Sequence, residues 1–222
     1  MARDNVVLIG YRGTGKSEVG RILARRIGYS FVDTDALVEQ RSGRSIAQIF
    51  EEGGERRFRE LETAAVLEAA ERFGCVIATG GGVVVREGNM DALKMHGKVV
   101  WLMAAPETIH RRISRDASSP SRRPNLTELG GLEEIRRVLS SRMKLYQQHA
   151  VVKLKTDGRT PRQVADDIQR ALRLKATRPA SSGLSFPVIP GDDPPPGLSD
   201  HPPASPPEAP TEGPRRGPTE SA

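Results

Sequence analysis

Cysteine is nearly absent from this 222-residue chain. Cys75 stands alone, so no intrachain disulfide can form and the fold draws nothing from an oxidising compartment. Long apolar runs are missing as well: nothing approaches the roughly 18 residues that a membrane-spanning helix requires. The run Val6–Ile9 is too short for the core of a secretion signal and no small-residue cleavage site follows it, so cytoplasmic residence is expected. Aromatics are few, five Phe, three Tyr and one Trp, and no basic patch is interleaved with them, which counts against a base-stacking platform for nucleic acid. Proline is rare ahead of residue 178, where only Pro106, Pro120, Pro124 and Pro161 occur; the other 13 of 17 crowd into the C-terminal stretch.

That stretch, 177–222, is rich in Pro, Ser, Gly and acids, with Phe186 as its one aromatic. It cannot bury enough apolar surface to offset chain entropy and is expected to be a disordered tail, its Pro-Pro runs open to a polyproline-binding partner of unknown identity. The chain therefore divides into a body, 1–176, and a Pro-rich tail, 177–222. The net charge of +6 divides with it. The tail has three basic and six acidic residues, which leaves the body at +9. A body so basic suits nucleic acid or small anions held by several arginines. Charge alone does not choose.

Within the body, short apolar runs alternate with helical periodicity. Residues 5–9, 30–32, 75–78, 98–102 and 151–154 read as strands. Between them, Lys16–Ile27 places Val19, Ile22, Leu23 and Ile27 on one helical face and stops at Gly28. Helical patterns also cover 36–40, 46–50, 55–73, a segment opened by Pro106, 132–148, and a last helix capped by Thr160-Pro161. Such alternation implies βαβ units and a parallel sheet covered on both faces. Residues 116–131 carry no periodicity and read as an exposed loop.

Gly10-Tyr11-Arg12-Gly13-Thr14-Gly15-Lys16-Ser17 fits G-x-x-x-x-G-K-[ST], with a strand before it and an amphipathic helix after it. Glycines let backbone N–H groups close around phosphate oxygens, the helix adds the positive end of its dipole, Lys16 supplies a point charge and Ser17 a hydroxyl for Mg²⁺. The fold class is thus α/β, a P-loop NTPase three-layer sandwich on a five-stranded parallel sheet. No Asn-Lys-x-Asp reads a guanine base, and the third strand ends in Ala78-Thr79-Gly80-Gly81-Gly82 with no acid for a metal. Asp33-Thr34-Asp35, ending the second strand, can fill that gap. Asp33 would orient magnesium waters and Asp35 would accept a hydrogen bond from an attacking hydroxyl; a helix-capping pair is the alternative reading of the same residues.

In this order and spacing the motifs resemble the shikimate kinase family across about 5–174. The P-loop and Asp33-Thr34-Asp35 are joined by Gly54-Glu55-x-x-Phe58-Arg59-x-x-Glu62, by Gly80-Gly81-Gly82, by Arg123-Pro124 in a mobile lid and by Arg142-x-x-x-Tyr146. The resemblance implies transfer of a phosphoryl group from ATP to the shikimate 3-hydroxyl with Mg²⁺ as cofactor. Nothing in the sequence suggests an obligate interface, so a monomer is expected, and the lack of long apolar runs, with the small-anion motifs, points to neither membrane nor nucleic acid as partner. The resemblance assigns ATP binding to Gly13, Thr14, Gly15, Lys16, Ser17, Glu18, Arg112 and Arg123, and catalysis to Lys16, Asp35 and Arg123, with the neighbouring lid arginine Arg122 as the alternative to Arg123 at the phosphates. Shikimate would meet Asp35, Arg59, Gly80, Gly81, Gly82 and Arg142, and the metal Ser17 and Asp33. Arg112 would lie against the adenine, with the loop Asp157–Pro161 on its other side. Another small-metabolite kinase, such as one for gluconate, and a P-loop module that senses nucleotide without catalysis are the competing readings.

Overall fold

The computed structural model describes residues 4–115 and 131–176. The expected lid residues Arg122, Arg123 and Pro124, and the expected tail, lie outside them.

Five strands form one sheet: β1 (Asn5–Ile9), β2 (Ser30–Asp33), β3 (Cys75–Ala78), β4 (Gly97–Met103) and β5 (Val152–Lys155). Their order is β2-β3-β1-β4-β5 and every pairing is parallel, with Val7 beside Ile77 on one side and Val99 on the other. The period-2 alternation of strands sorts side chains into two layers. Val7, Ile9, Ile77, Val99 and Trp101 face one core, closed by α2 (Thr34–Ser42), α3 (Ile46–Ala70), α4 (Glu87–Met95) and α6 (Gly131–His149). Val6, Leu8, Val76, Val100 and Leu102 face the other, closed by α1 (Lys16–Ile27) and α7 (Pro161–Ala171). A satellite core joins Tyr11 to Ile109 of α5 (Pro106–Arg115) and to Ile135 and Val138 of α6.

Local chemistry sets the boundaries. Gly28, at φ 66°, ends α1 by returning its N–H to Ala24 O. Capping boxes start α3 at Ser45 and Gln48 and α7 at Thr160 and Gln163, the latter followed by Pro161 in the first turn. The helical patterns at 46–50 and 55–73 belong to one element, α3, broken by Gly54 at φ 63°, ψ −168°. One feature departs from the expectation: residues 87–95, given no element from sequence, form α4. β5, expected as a strand, is half-exposed at the edge of the sheet, with Val151 68% exposed just ahead of it.

β1 is central. The chain leaves its carboxyl end for β2 and β3 on one side, and β4 lies on the other, so the crevice beyond β1 is where a parallel α/β sheet opens to ligands.

Candidate active site

The phosphate loop spans from β1 to α1. Gly10 (φ 138°), Gly13 (φ 77°) and Gly15 (φ 90°) all hold conformations that L-residues rarely take. A Cβ on Gly10 would strike Leu102 O, so the loop also passes too close to β4 for any side chain there. Lys16, 8% exposed, donates to Gly10 O and Tyr11 O at 2.9 Å each, which lays its ammonium across the mouth of the loop. Thr14 Oγ1 bonds Tyr11 O at 2.8 Å and tightens the same turn. Glu18 is exposed in the first turn of α1, where the backbone N–H groups point out of the positive end of the helix.

Ser17 Oγ donates to Asp33 Oδ2 at 2.6 Å, and Asp33 Oδ1 accepts from the Asp35 N–H at 3.0 Å. Asp33 therefore caps α2, as the capping reading of the sequence has it, and also accepts from the P-loop hydroxyl. Burial pushes its pKa up, and the neighbouring Asp35 carboxylate adds to the rise. Two acids beside a phosphate loop thus repel each other, and the nearby Lys16 ammonium offsets only part of that rise. Thr34 Oγ1 accepts from Gly80 N–H at 3.1 Å, which fastens the acid pair to the glycine triplet.

Around that triplet stand the two predicted clamp arginines. A Cβ on Gly82 would lie 2.7 Å from Arg59 Cζ, so this glycine makes room for the guanidinium. Arg59 itself is 8% exposed, bonded through Nη1 to Glu62 Oε2 at 2.6 Å and through Nε and Nη2 to Glu55 Oε1 at 3.2 and 2.9 Å. Burial works against its charge, but Glu62 and then Glu55 outweigh it and keep Arg59 firmly protonated. Arg142 Nη1 donates to Gly81 O at 3.2 Å, and Tyr146 Oη donates to the same carbonyl at 2.5 Å. Burial holds Tyr146 up to about 12, so it remains a donor. Its ring stacks on Trp101 at 5.6 Å.

The crevice therefore brings together Lys16, Ser17, Asp33, Asp35, Gly80–Gly82, Arg59 and Arg142. Arg112 sits at its rim, bonded to Gly13 O at 3.2 Å, Thr156 Oγ1 at 3.0 Å and Thr156 O at 2.8 Å, so it ties the P-loop to the β5–α7 connection. Asp157 in that connection accepts from Ala105 N–H at 3.0 Å; burial alone would raise its pKa, but this bond and one from Thr108 hold it below the usual aspartate range. Arg123 lies outside the described residues. Sequence reasoning gave no part to Arg12, whose Nη2 meets Glu134 Oε1 at 2.9 Å, or to the stacking of Trp101 on Tyr146; neither pairing leaves a periodic signal, since the partners lie on different elements.

Known proteins converge on one family. The family model for shikimate kinase matches residues 12–173. A shikimate kinase of Symbiobacterium thermophilum is 42% identical over 174 residues, 78% of this chain and 99% of its own length. The solved structure of Acinetobacter baumannii shikimate kinase in complex with shikimate superposes with a TM-score of 0.72 at 35% identity, covering 77% of this chain and 94% of that one. A gluconokinase from Sinorhizobium meliloti shares the fold at TM-score 0.52, covering 78% of this chain and 94% of its own, but at 17% identity it carries no more than that.

Proposed function

Because the chain belongs to the shikimate kinase family, we infer that it transfers the γ-phosphoryl group of ATP to the 3-hydroxyl of shikimate, giving 3-phosphoshikimate and ADP on the route to chorismate and the aromatic amino acids. The observation that carries this reading is the pair of guanidinium groups, Arg59 and Arg142, set at adjacent glycines, Gly82 and Gly81, beside a P-loop and an acid pair. A small ring bearing one carboxylate and several hydroxyls matches that donor set.

The chemistry is positioning and charge neutralisation. Backbone N–H groups of Gly13–Glu18 and Lys16 hold the phosphates of ATP, and Lys16 moves from the loop carbonyls to the β/γ-oxygens. Arg59 and Arg142 grip the carboxylate, and the bare backbone of Gly80–Gly82 lets the ring lie close. Asp35 accepts the hydrogen bond of the attacking hydroxyl and orients it in line with the γ-phosphorus. Arg123 neutralises the transferring phosphoryl, and Arg112 with the Asp157–Pro161 loop frames the adenine. Mg²⁺ fits this chain: Ser17 Oγ and Asp33 offer hard oxygen donors 2.6 Å apart, and the repulsion between Asp33 and Asp35 is what a divalent cation relieves. Among the described residues no cluster of three or more His, Cys, Asp or Glu side chains could hold a metal by itself, as suits an ion bound chiefly through phosphates and water. Ser17 and Asp33 would hold the ion, which supplies charge neutralisation on the phosphate oxygens.

Residues 1–176 carry the activity, working as a monomer in the cytoplasm. No described helix is long and apolar enough to cross a membrane. A coupled ADP-release assay over a panel of hydroxy acids tests the whole reading. Turnover with shikimate and not gluconate is expected; ADP release without dependence on shikimate would sink it.

A further inference from the structure

Arg12 belongs to the phosphate loop by sequence, yet its side chain reaches α6. Its Nη2 lies 2.9 Å from Glu134 Oε1, a carboxylate with 0% exposure in the first turn of that helix, while the arginine side chain is 19% exposed. The two residues are 122 positions apart. The same P-loop segment touches the acceptor floor: the Arg12 backbone nitrogen lies 3.1 Å from where a Cβ on Gly81 would stand. Gly81 O is gripped by Arg142 and Tyr146, both on α6, about two and three turns beyond Glu134. Tyr11, next to Arg12, packs on Ile135 and Val138 of the same helix. One helix is thus fastened at its start to the nucleotide loop and further along to the glycine floor.

A buried ion pair is a poor source of stability, because desolvation offsets most of the Coulombic gain. What it supplies is direction: two forked groups that meet in one geometry fix the register of the elements bearing them.

We propose that Arg12 and Glu134 are a positioning pair that locks the N-terminal turn of α6 to the phosphate loop, and so makes the grip of Arg142 and Tyr146 on Gly81, and with it acceptor affinity, depend on the nucleotide loop. The acceptor named in the test rests on the shikimate kinase reading.

The decisive variant removes both partners, Arg12→Met with Glu134→Leu, since taking one alone strands a buried charge. Calorimetry and steady-state kinetics are compared with the parent. The double variant is expected to melt near the parental temperature and to bind ADP within about twofold. Its KM for shikimate is expected to rise roughly tenfold, and any tightening of shikimate binding by ADP to disappear. Glu134→Gln should show the same split and Arg12→Lys a partial one; these two carry the comparison if the double variant fails to fold. An unchanged shikimate KM, or equal losses for shikimate and ADP, overturns the proposal.

A parent that never phosphorylates shikimate would sink the functional reading instead. The pair is then tested without the acceptor, because Trp101, the chain's single tryptophan, stacks on Tyr146 and reports on the floor. An ADP-driven change in its emission should occur in the parent and vanish in the double variant. Persistence in the variant, or no change in the parent, overturns the coupling.

Discussion

At the scale of single residues, the proposed site separates groups assigned to phosphate from groups assigned to a carboxylate. Lys16→Met removes the ammonium that spans the loop mouth and should lower kcat by at least about a hundredfold with the melting temperature nearly unchanged; single-turnover kinetics check it. Arg59→Lys keeps the charge but loses the fork that now meets Glu55 and Glu62, so the KM for shikimate should rise roughly tenfold or more while that for ATP moves little. Equal losses would deny the clamp. Gly82→Ala makes the same point from the other side, because its backbone, at φ −100°, tolerates alanine and the nearest atoms its Cβ would meet belong to the Arg59 guanidinium. That variant should fold and bind ATP but lose affinity for shikimate. Tyr146 gives a pH test. Its folded pKa of about 12 lies above the ordinary 10, so the folded state keeps a proton that the unfolded chain gives up, and stability falls as pH rises from about 10 to about 12. Tyr146→Phe should remove roughly 2–3 kcal/mol of that alkaline loss in urea titrations. Most of these residues were legible in the sequence because their motifs are local: six of the eight expected ATP-binding positions, Gly13 to Glu18, follow one another along the chain. The Arg12–Glu134 pair was not, because two charges 122 positions apart share no period, cap or spacing.

At the scale of elements, the break in α3 matters most. Gly54 at φ 63°, ψ −168° occupies a region open to glycine almost alone, so Gly54→Ala should cost about 1–3 kcal/mol in chemical denaturation. Arg59 lies just past the break, so the same variant should impair shikimate binding more than ADP binding. α1 was readable end to end because an amphipathic stripe ran from the P-loop lysine to Gly28, a glycine that the structure places in the left-handed region. α4 was not. It starts at Arg86 with no side-chain cap, carries Gly88 within it, and buries only Asn89, Met90 and Leu93, too few apolar positions to show a period. The strand at 152–155 was readable as a strand, but its place in the sheet was not, because strand order is set by pairings far apart in the chain; Lys153 and Lys155 turn outward to solvent there. Exposed lysines on an edge strand discourage pairing with another chain.

For the whole molecule, the division of composition at about residue 176 makes a direct test: a chain ended after Ala176 should keep its turnover and melting temperature. A large loss of either would show that 177–222 support the kinase body. The strand order carries a consequence for how the protein comes into being. β1, made first, is paired on both sides, but its partner residues in β3 lie 70 positions downstream, as Asn5 to Cys75 shows, and those in β4 lie further still, at Gly97–Trp101. Closing such distant pairings is slow, because loop entropy is lost before any contact repays it. During synthesis the glycine-rich turn therefore leaves the ribosome long before the strands that hold it, and Gly10 finds its seat against Leu102 only when β4 docks. Nucleotide capture is a late event in the birth of this protein, a property that a half-made chain cannot show.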